Sequence, residues 1–210
     1  MNILWLDLNS SYAHSSLALP AIQAQMMDDT NIEWNIVSAT INESPNIIAG
    51  KIAATEPDVI AATCWLFNHD VLMHVLARAK AMVPNSMVIL GGPEFLGDNE
   101  DFLRRHPFVD IILRGEGEET FPLWTKHIND IDKWKDITGL CYIHNDIYQD
   151  GGIARVMDFD RLTPPEESPL FNWSKPFVQL ETTRGCFNTC AFCVSGGEKP
   201  VRSLSIDTIR

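Results

Sequence analysis

"VILGGPEF", residues 88–95, and "VDIILRGEGEETFPLW", residues 109–124, are the stretches that decide the fold. Each begins with a short, almost uninterrupted run of Val, Ile and Leu and then passes into glycines and acidic residues. Such a run is typical of a strand that is buried on both faces of a parallel sheet. Glycine directly after the strand permits a tight turn into the following helix.

The same strand pattern occurs three more times toward the N-terminus, at residues 2–8, 32–40 and 57–65. Helix-length segments lie between the runs, and residues 69–83 carry their apolar side chains on one helical face. Five βα units within residues 1–130 predict an α/β fold, a doubly wound, mostly parallel five-stranded Rossmann-like sheet.

The pattern changes after residue 130. Residues 137–152 alternate around Asn145 and Asp146, which predicts a β-hairpin. The proline-rich stretch that follows is interpreted as a linker or as a belt running over a surface, so residues 131–175 are assigned as hairpin and linker. The strand-like run at 177–186 then predicts that residues 176–210 are the beginning of a second, β/α barrel domain that is cut short.

Composition excludes several classes of partner. A net charge of −12 and a pI near 4.8 do not suit nucleic acid or an anionic membrane surface, because both require clustered Lys and Arg. We find neither a signal peptide nor a run of eighteen apolar residues, so a cytoplasmic protein is expected. The grouped cysteines do not resemble a disulfide framework.

Ligands of open α/β sheets bind beyond the carboxyl ends of the strands. Residues at four of these ends are the candidate binding residues, with the glycines permitting close backbone approach. They are Asn9, Ser10, Ser11 and Tyr12; Cys64, Trp65, Leu66 and Phe67; Gly91, Gly92, Pro93 and Glu94; and Arg114, Gly115, Glu116, Gly117 and Glu118. Two alternatives remain open. The glycines could serve only to end strands, and Cys64 and the aromatic rings could serve only to pack in the core.

Cys186, Cys190 and Cys193 form a C-x3-C-x2-C pattern directly after the last strand-like run. Three thiolates suit a [4Fe–4S] cluster with one open iron, whereas structural zinc requires a fourth ligand, which Cys141 or His144 would supply only if the hairpin folded back. The spacing, with an aromatic residue before the third cysteine, resembles the signature of the radical S-adenosylmethionine family.

The resemblance implies the cofactors and the chemistry. In that family the three thiolates hold the cluster, S-adenosylmethionine binds its fourth iron, and reductive cleavage produces a 5′-deoxyadenosyl radical. It also implies a small-molecule substrate and an electron donor such as flavodoxin or ferredoxin. The family's GGE motif resembles residues 196–198, but these follow the cysteines too closely, so we interpret them as cluster-loop backbone.

The N-terminal half carries a second resemblance. "LNSSYAHSSLALP", "GGPEF" and "RGEGEETFPLW", each after a strand, are similar to the cobalamin-binding domain that precedes radical S-adenosylmethionine barrels. The match covers residues 1–128. The D-x-H-x-x-G motif is absent, since His14 is wrongly spaced from Asp7 and His69 lies in a different context, so cobalamin is expected to bind without a protein histidine on cobalt.

Together these resemblances predict the N-terminal part of a cobalamin-dependent radical S-adenosylmethionine enzyme. The reaction would be a methyl transfer or a radical rearrangement or oxidative cyclisation, by analogy with the anaerobic magnesium-protoporphyrin monomethyl ester cyclase. The 210 residues alone are expected to be inactive. Two alternatives remain: a stand-alone cobalamin or corrinoid module, and a zinc-stabilised α/β protein without catalysis.

Overall fold

The computed structural model describes residues 1–14, 16–193 and 200–209, so the interpretation of residues 196–198 lies outside the described part. The strands are β1 (Asn2–Asn9), β2 (Glu33–Thr40), β3 (Val59–Thr63), β4 (Met87–Gly91), β5 (Ile111–Leu113), β6 (Leu140–His144), β7 (Ile147–Asp150), β8 (Thr183–Arg184) and β9 (Arg202–Ser203). The helices are α1 (Ala18–Ala24), α2 (Pro45–Ala53), α3 (His69–Met82), α4 (Glu100–Arg105), α5 (Gly117–Lys126) and α6 (Ile206–Ile209). Within the described residues, no helix has the length and apolarity to cross a membrane.

The main sheet has the order β2-β1-β3-β4-β5-β6-β7, and its first five strands are parallel. The predicted α/β class and five-stranded parallel core are therefore confirmed. The predicted hairpin also forms, with Asn145 and Asp146 at positive φ in its two-residue turn. It pairs with β5 as an antiparallel edge, so the sheet has seven strands rather than five.

The alternation of side chains along β1 explains why helices cover both faces of the sheet. Leu4, Leu6 and Leu8 pack with residues of α2 and α3, while Ile3 and Trp5 pack with residues of α1 and α5. Burying a side chain of this size contributes about 1.5–3 kcal/mol relative to leaving it exposed. A strand that is apolar at every position is stable only between two such layers.

The proline-rich stretch is a belt on α1 rather than a free linker. The side-chain amide of Gln25 donates to the carbonyl oxygen of Thr163 (2.8 Å), and its oxygen accepts from the Thr163 backbone N–H (3.1 Å). Two positions earlier on the helix, Gln23 accepts a hydrogen bond of 2.5 Å from the Ser168 hydroxyl. Paired side-chain contacts of this kind hold an irregular segment that has no ladder of its own.

The predicted strand at 177–186 is only partly formed. Its regular part is limited to β8, which pairs antiparallel with β9 through Thr183–Ser203 and Arg184–Arg202. Residues 177–182 have no partner strand within the described residues, and an unpaired strand lacks the hydrogen bonds that define it.

Candidate functional site: a cavity at the carboxyl ends of the strands

A cavity of about 590 Å³ opens at the carboxyl ends of β1, β3, β4 and β5. This volume is in the range of small-molecule and cofactor sites. The cavity lies beside the point where the strand order reverses, because β2 and β3 flank β1 on opposite sides. Crevices at such a point are the usual ligand sites of open α/β sheets.

The deep part of the cavity extends between the sheet and the helices α1 and α5. Ala61 of β3 and Ala21 of α1 line it, and their small side chains leave space between the layers. Trp5 and Phe121 form apolar walls. The buried indole N–H of Trp5 has no hydrogen-bond acceptor within the described residues, and an acceptor from a ligand or water would satisfy it. The apolar walls and this unsatisfied donor suit a small-molecule or cofactor ligand with a polar group that reaches the interior.

A buried asparagine shapes the loop between β3 and α3. The Asn68 side-chain amide donates to the carbonyl oxygens of Leu8 (3.0 Å) and Thr63 (3.1 Å), and its oxygen accepts from the Trp65 backbone N–H (2.8 Å). The loop presents the half-exposed rings of Trp65 and Phe67 stacked at the mouth of the cavity, with centroids 6.4 Å apart. Asn68 thus couples the end of β1 to an aromatic platform.

Two of the predicted glycines serve contacts within the protein. Gly92 has φ of 114°, and an added Cβ would lie 2.4 Å from the carbonyl oxygen of Cys64. Gly115 has φ of 104°, and its Cβ would lie 2.3 Å from the carbonyl oxygen of Ala154. Both positions therefore require glycine so that neighbouring backbone segments can approach, even though both glycines also line the cavity.

The loop between β1 and α1 divides into two parts. Asn9, Ser10 and His14 line the cavity, and the imidazole of His14 stacks on Phe177 with ring centroids 5.4 Å apart. Tyr12 lies outside the lining, where its hydroxyl donates to the carboxylate of Glu43 (2.7 Å). Of the polar candidates after β1, Asn9 and Ser10 thus line the cavity, whereas Tyr12 contacts the loop after β2.

Arg114 also lies outside the cavity lining. Its guanidinium forms an ion pair of 2.6 Å with Asp150 of β7 and donates to the carbonyl oxygen of Leu96 (3.1 Å). The Asp150 carboxylate in turn accepts from the buried thiol of Cys141 (3.4 Å). Arg114 therefore joins the parallel strands to the antiparallel edge of the sheet.

The acidic residues after β5 meet two arginines. Glu116 accepts from Arg202 through both carboxylate oxygens, at 2.9 and 2.6 Å, and from the Val156 backbone N–H at 2.7 Å. Burial acts to raise the pKa of Glu116, but these hydrogen bonds and the charge of Arg184 outweigh it, so this pKa lies below its ordinary value. Glu118 is paired with Arg184. Because the first turn of α5 is acidic, it does not suit a phosphate group.

The predicted candidates thus fall into two groups. Eleven of them line the cavity: Asn9, Ser10, Trp65, Phe67, Gly91, Gly92, Pro93, Gly115, Glu116, Gly117 and Glu118. Six lie outside the lining: Ser11, Tyr12, Cys64, Leu66, Glu94 and Arg114. Cys64 is fully buried in the core, where burial raises the pKa of its thiol to about 12.

Several lining residues were not predicted, and they come from the interior of the elements or from distant segments. Ala21 and Ala61 are small apolar residues whose pattern indicates only a core position. Gln179, Glu181 and Arg184 lie after the proline-rich belt, and the sequence contains no signal that would return them to the sheet. Asn68 lies outside the lining and was also not predicted, although a polar residue between a strand and an apolar helix is a local signal for a loop-shaping role.

The three cysteines lie on the segment between β8 and β9, with Cys186 half-buried and Cys190 and Cys193 exposed. Among the described residues, no three His, Cys, Asp or Glu side chains are gathered closely enough to hold a metal ion. Neither predicted fourth zinc ligand approaches them: Cys141 is buried inside the sheet, and His144 lies at the hairpin turn. The cluster assignment therefore stays a prediction based on spacing and on the donor set.

Comparison with known proteins supports the resemblances. The B12 binding domain family model matches residues 6–124. The 2-(S-pantetheinyl)-carbapenam-3-carboxylate methyltransferase of Streptantibioticus cattleyicolor is 30% identical over 155 residues, covering 66% of this chain and 22% of that protein. The anaerobic magnesium-protoporphyrin IX monomethyl ester cyclase of Cereibacter sphaeroides is 27% identical over 158 residues, covering 70% and 26%. The chain thus spans about a quarter of the length of these relatives.

A solved structure shares the fold over the described chain. The cobalamin-dependent S-adenosylmethionine radical enzyme OxsB, with aqua-cobalamin and S-adenosylmethionine bound, aligns with a TM-score of 0.77 at 20% identity. The alignment covers 99% of this chain and 30% of that one. The chain therefore belongs to the B12 binding domain family, and in fold it resembles a cobalamin-dependent S-adenosylmethionine radical enzyme.

Proposed function

We propose that this chain binds cobalamin in the cavity at the carboxyl ends of β1, β3, β4 and β5, as part of an enzyme that also uses S-adenosylmethionine. The observation that carries the proposal is the extension of this cavity between the sheet and the helices α1 and α5, within the residues that match the B12 binding family. Cobalamin has a flat corrin ring and an appended nucleotide, and a cavity that continues from the edge of the sheet to residues between the layers offers a place for each.

The lining residues have distinct roles in this proposal. Trp65 and Phe67 would pack against the apolar edge of the corrin, and the polar groups of Asn9 and Ser10 would bond to its amide side chains. When bound, cobalamin supplies a cobalt centre that carries a methyl group. The D-x-H-x-x-G motif is absent, so we propose that no histidine of this chain binds cobalt.

The cysteine segment completes the proposal. Cys186, Cys190 and Cys193 supply three thiolates for a [4Fe–4S] cluster, which when bound provides the electron for cleavage of S-adenosylmethionine. Methyl transfer or oxidative cyclisation on a small-molecule biosynthetic intermediate, with flavodoxin or ferredoxin as electron donor, is the reaction class that we propose for the whole enzyme. We propose a cytoplasmic location and no nucleic-acid or membrane partner.

Titration with hydroxocobalamin tests the cobalamin proposal. Trp5 and Trp65 line the cavity, so bound hydroxocobalamin should quench tryptophan fluorescence. Binding to the native state should also raise stability by about 2.7 kcal/mol at a ligand concentration 100-fold above Kd. The absence of both effects at saturating hydroxocobalamin would reject the proposal.

A pair of variants locates the site. Ala18→Trp adds a large side chain to the cavity lining, whereas Ala54→Trp adds the same side chain at an exposed position outside the lining. We expect Ala18→Trp to abolish the quenching and Ala54→Trp to leave it unchanged. Equal loss in both variants would place the binding site elsewhere.

Anaerobic reconstitution with iron and sulfide tests the cysteine assignment separately. We expect iron and sulfide in the wild-type chain and neither in Cys186→Ser, with zinc absent from both. Stoichiometric zinc that survives reconstitution would instead support the zinc-stabilised alternative.

A further inference from the structure

Four charged side chains form a buried cluster where the cysteine segment meets the sheet. We call Glu116, Glu118, Arg184 and Arg202 the arginine–glutamate cluster. The two carboxylates lie at the start of α5, and the two guanidinium groups lie on β8 and β9. Arg202 binds Glu116 in a bidentate manner, with N–O distances of 2.6 and 2.9 Å. This geometry is the strongest form of an arginine–carboxylate contact.

The second arginine links three carboxylates. The guanidinium of Arg184 pairs with Glu118, lies 3.3 Å from the nearer carboxylate oxygen of Glu116, and donates to the Glu181 carboxylate at 2.7 Å. Both guanidinium groups lie over the ring of Phe159, at 4.5 Å for Arg184 and 5.4 Å for Arg202. An aromatic face attracts a cation and shields it from water, so these pairs are not ordinary solvated surface pairs.

Burial confirms that distinction. Arg202 is 7% exposed and Glu118 is 6% exposed. Loss of one partner in such a cluster leaves a buried charge without compensation, which costs far more than loss of an exposed pair. The apolar contacts of the same segment are weak, because Phe177 and Leu180 are mostly exposed. The attachment of this segment to the sheet therefore depends on its charges.

The position of the cluster connects the two cofactor regions. The strands β8 and β9 lie at the two ends of the segment that carries Cys186, Cys190 and Cys193. Glu116, Glu118 and Arg184 also line the cobalamin cavity. Both ends of the cysteine segment are thus tied to the wall of the cavity.

We propose that Glu116 and Glu118 are positioning residues that hold the cysteine segment at the mouth of the cobalamin cavity. The inference rests on the proposed function for the identity of the ligand, whereas the attachment itself rests only on the contacts above. It assigns Glu116 and Glu118 to contact with β8 and β9 rather than to direct contact with the corrin.

A fluorophore on Cys190 tests this position. In the Cys186→Ser/Cys193→Ser background Cys190 is exposed, while Cys64 and Cys141 are buried and should not react. Hydroxocobalamin absorbs visible light strongly, so its binding should quench the nearby label. Tryptophan quenching in the same samples measures hydroxocobalamin binding independently.

The decisive variant is Glu116→Gln/Glu118→Gln, with Glu119→Gln as control, since Glu119 is exposed and outside the cavity lining. We expect the double variant to lose most of the label quenching even when the hydroxocobalamin concentration is raised until tryptophan quenching is saturated. Amide hydrogen exchange of residues 182–184 and 201–204, without ligand, should accelerate by at least about tenfold, with β1–β5 unchanged. Glu119→Gln should behave as the wild type.

The outcomes separate the two proposals. Unchanged exchange and label quenching in Glu116→Gln/Glu118→Gln would overturn the positioning role, as would equal loss of protection throughout the sheet. If hydroxocobalamin does not quench tryptophan fluorescence in the wild type, the proposed function is rejected instead. Arg202→Gln provides a second test. It should accelerate amide exchange as Glu116→Gln does, because both substitutions remove the Arg202–Glu116 ion pair. The two substitutions together should therefore accelerate exchange little more than either one alone. Full additivity would contradict the inference.

Discussion

The sheet and the segment after the proline-rich belt are stabilised by different forces. In β1 nearly every side chain from Ile3 to Leu8 is buried between two layers of helices. Among the described residues between 173 and 209 the large apolar side chains are mostly exposed, and Phe192 is 93% exposed. That segment contacts the sheet region through the ion pairs of Arg184 and Arg202, the hydrogen bond from Lys175 to the carbonyl oxygen of Tyr12, and the stacking of Phe177 on His14. One region is thus specified by apolar burial and the other by directional charged contacts.

This difference has a physical consequence for each region. Apolar burial is non-directional and involves many residues at once, so the sheet region should unfold as a unit. Buried ion pairs depend on a few atoms and on the ionisation of the carboxylates. Substitutions, pH and chemical modification should therefore affect the two regions differently.

A matched pair of leucines should produce the largest difference. Leu6 is fully buried, and Leu6→Ala should lower the free energy of unfolding by about 2–5 kcal/mol because it leaves a cavity in the core. Leu180 is 63% exposed, and Leu180→Ala should change it by less than about 0.5 kcal/mol. Urea unfolding followed by far-ultraviolet circular dichroism measures both. Similar changes in the free energy of unfolding for the two variants would show that apolar burial stabilises both regions equally.

The loop at Asn68 tests whether the aromatic platform depends on hydrogen bonds from the sheet. Asn68→Ala removes three hydrogen bonds and should cost about 1–3 kcal/mol, because buried carbonyl groups lose their donor. It should also weaken hydroxocobalamin binding. Asn172→Ala, at an exposed turn, is the control and should change neither quantity. If Asn68→Ala binds hydroxocobalamin as tightly as the wild type, the aromatic platform does not contribute to binding.

Acid should detach the cysteine segment before it unfolds the sheet. The lowered pKa of Glu116 means that its ionised form stabilises the fold above the unfolded-state pKa. This contribution is lost as the pH falls through the lowered folded-state pKa. Glu118 and Glu181 face the same guanidinium groups, so the change reports the cluster as a whole.

Limited proteolysis between pH 7 and pH 3 measures this detachment, with a neutral protease and an acid protease used over overlapping pH ranges and each normalised to its cleavage of an unfolded substrate at the same pH. Cleavage within residues 177–205 should rise on acidification while the sheet stays intact. In Glu116→Gln, cleavage should already be high at pH 7 and depend less on pH. Simultaneous cleavage of both regions at every pH would contradict the prediction.

Thiol alkylation should distinguish the regions without unfolding either. Burial raises the pKa of the Cys64 thiol to about 12 and that of Cys141 to about 11, so both should stay unmodified in the native protein at pH 8. Cys186, Cys190 and Cys193 should react, since none of them is buried. Mass spectrometry should find three labels in native protein and five after denaturation. Native labelling of Cys64 would show that the core opens.

The smallest effect is expected at His14. Of the described residues that line the cavity, His14 is the only histidine, and it stacks on Phe177. If no histidine binds cobalt, His14→Ala should leave the visible spectrum of bound hydroxocobalamin unchanged and alter affinity only slightly. A shift of the spectrum would identify His14 as a cobalt ligand.

The sequence by itself determined the parallel sheet, the hairpin turn and the edge of the sheet at which the cavity opens. Continuous apolar runs, two consecutive turn formers and glycines after strands are local signals, and each acts through the backbone of its own segment. The spacing of Cys186, Cys190 and Cys193 is local in the same sense, and it indicated the radical S-adenosylmethionine family.

Only the tertiary structure decided which strand-end residues line the cavity and which contact other parts of the protein. Tyr12 meets Glu43, Arg114 meets Asp150, and Glu116 meets Arg202, and in each pair the partners are far apart in sequence. A charged or polar side chain next to a cavity can contact a ligand or another residue, and its own identity does not distinguish the two. The distinction depends on which segments long-range folding brings beside it, because charges and hydrogen bonds act between atoms that are close in space.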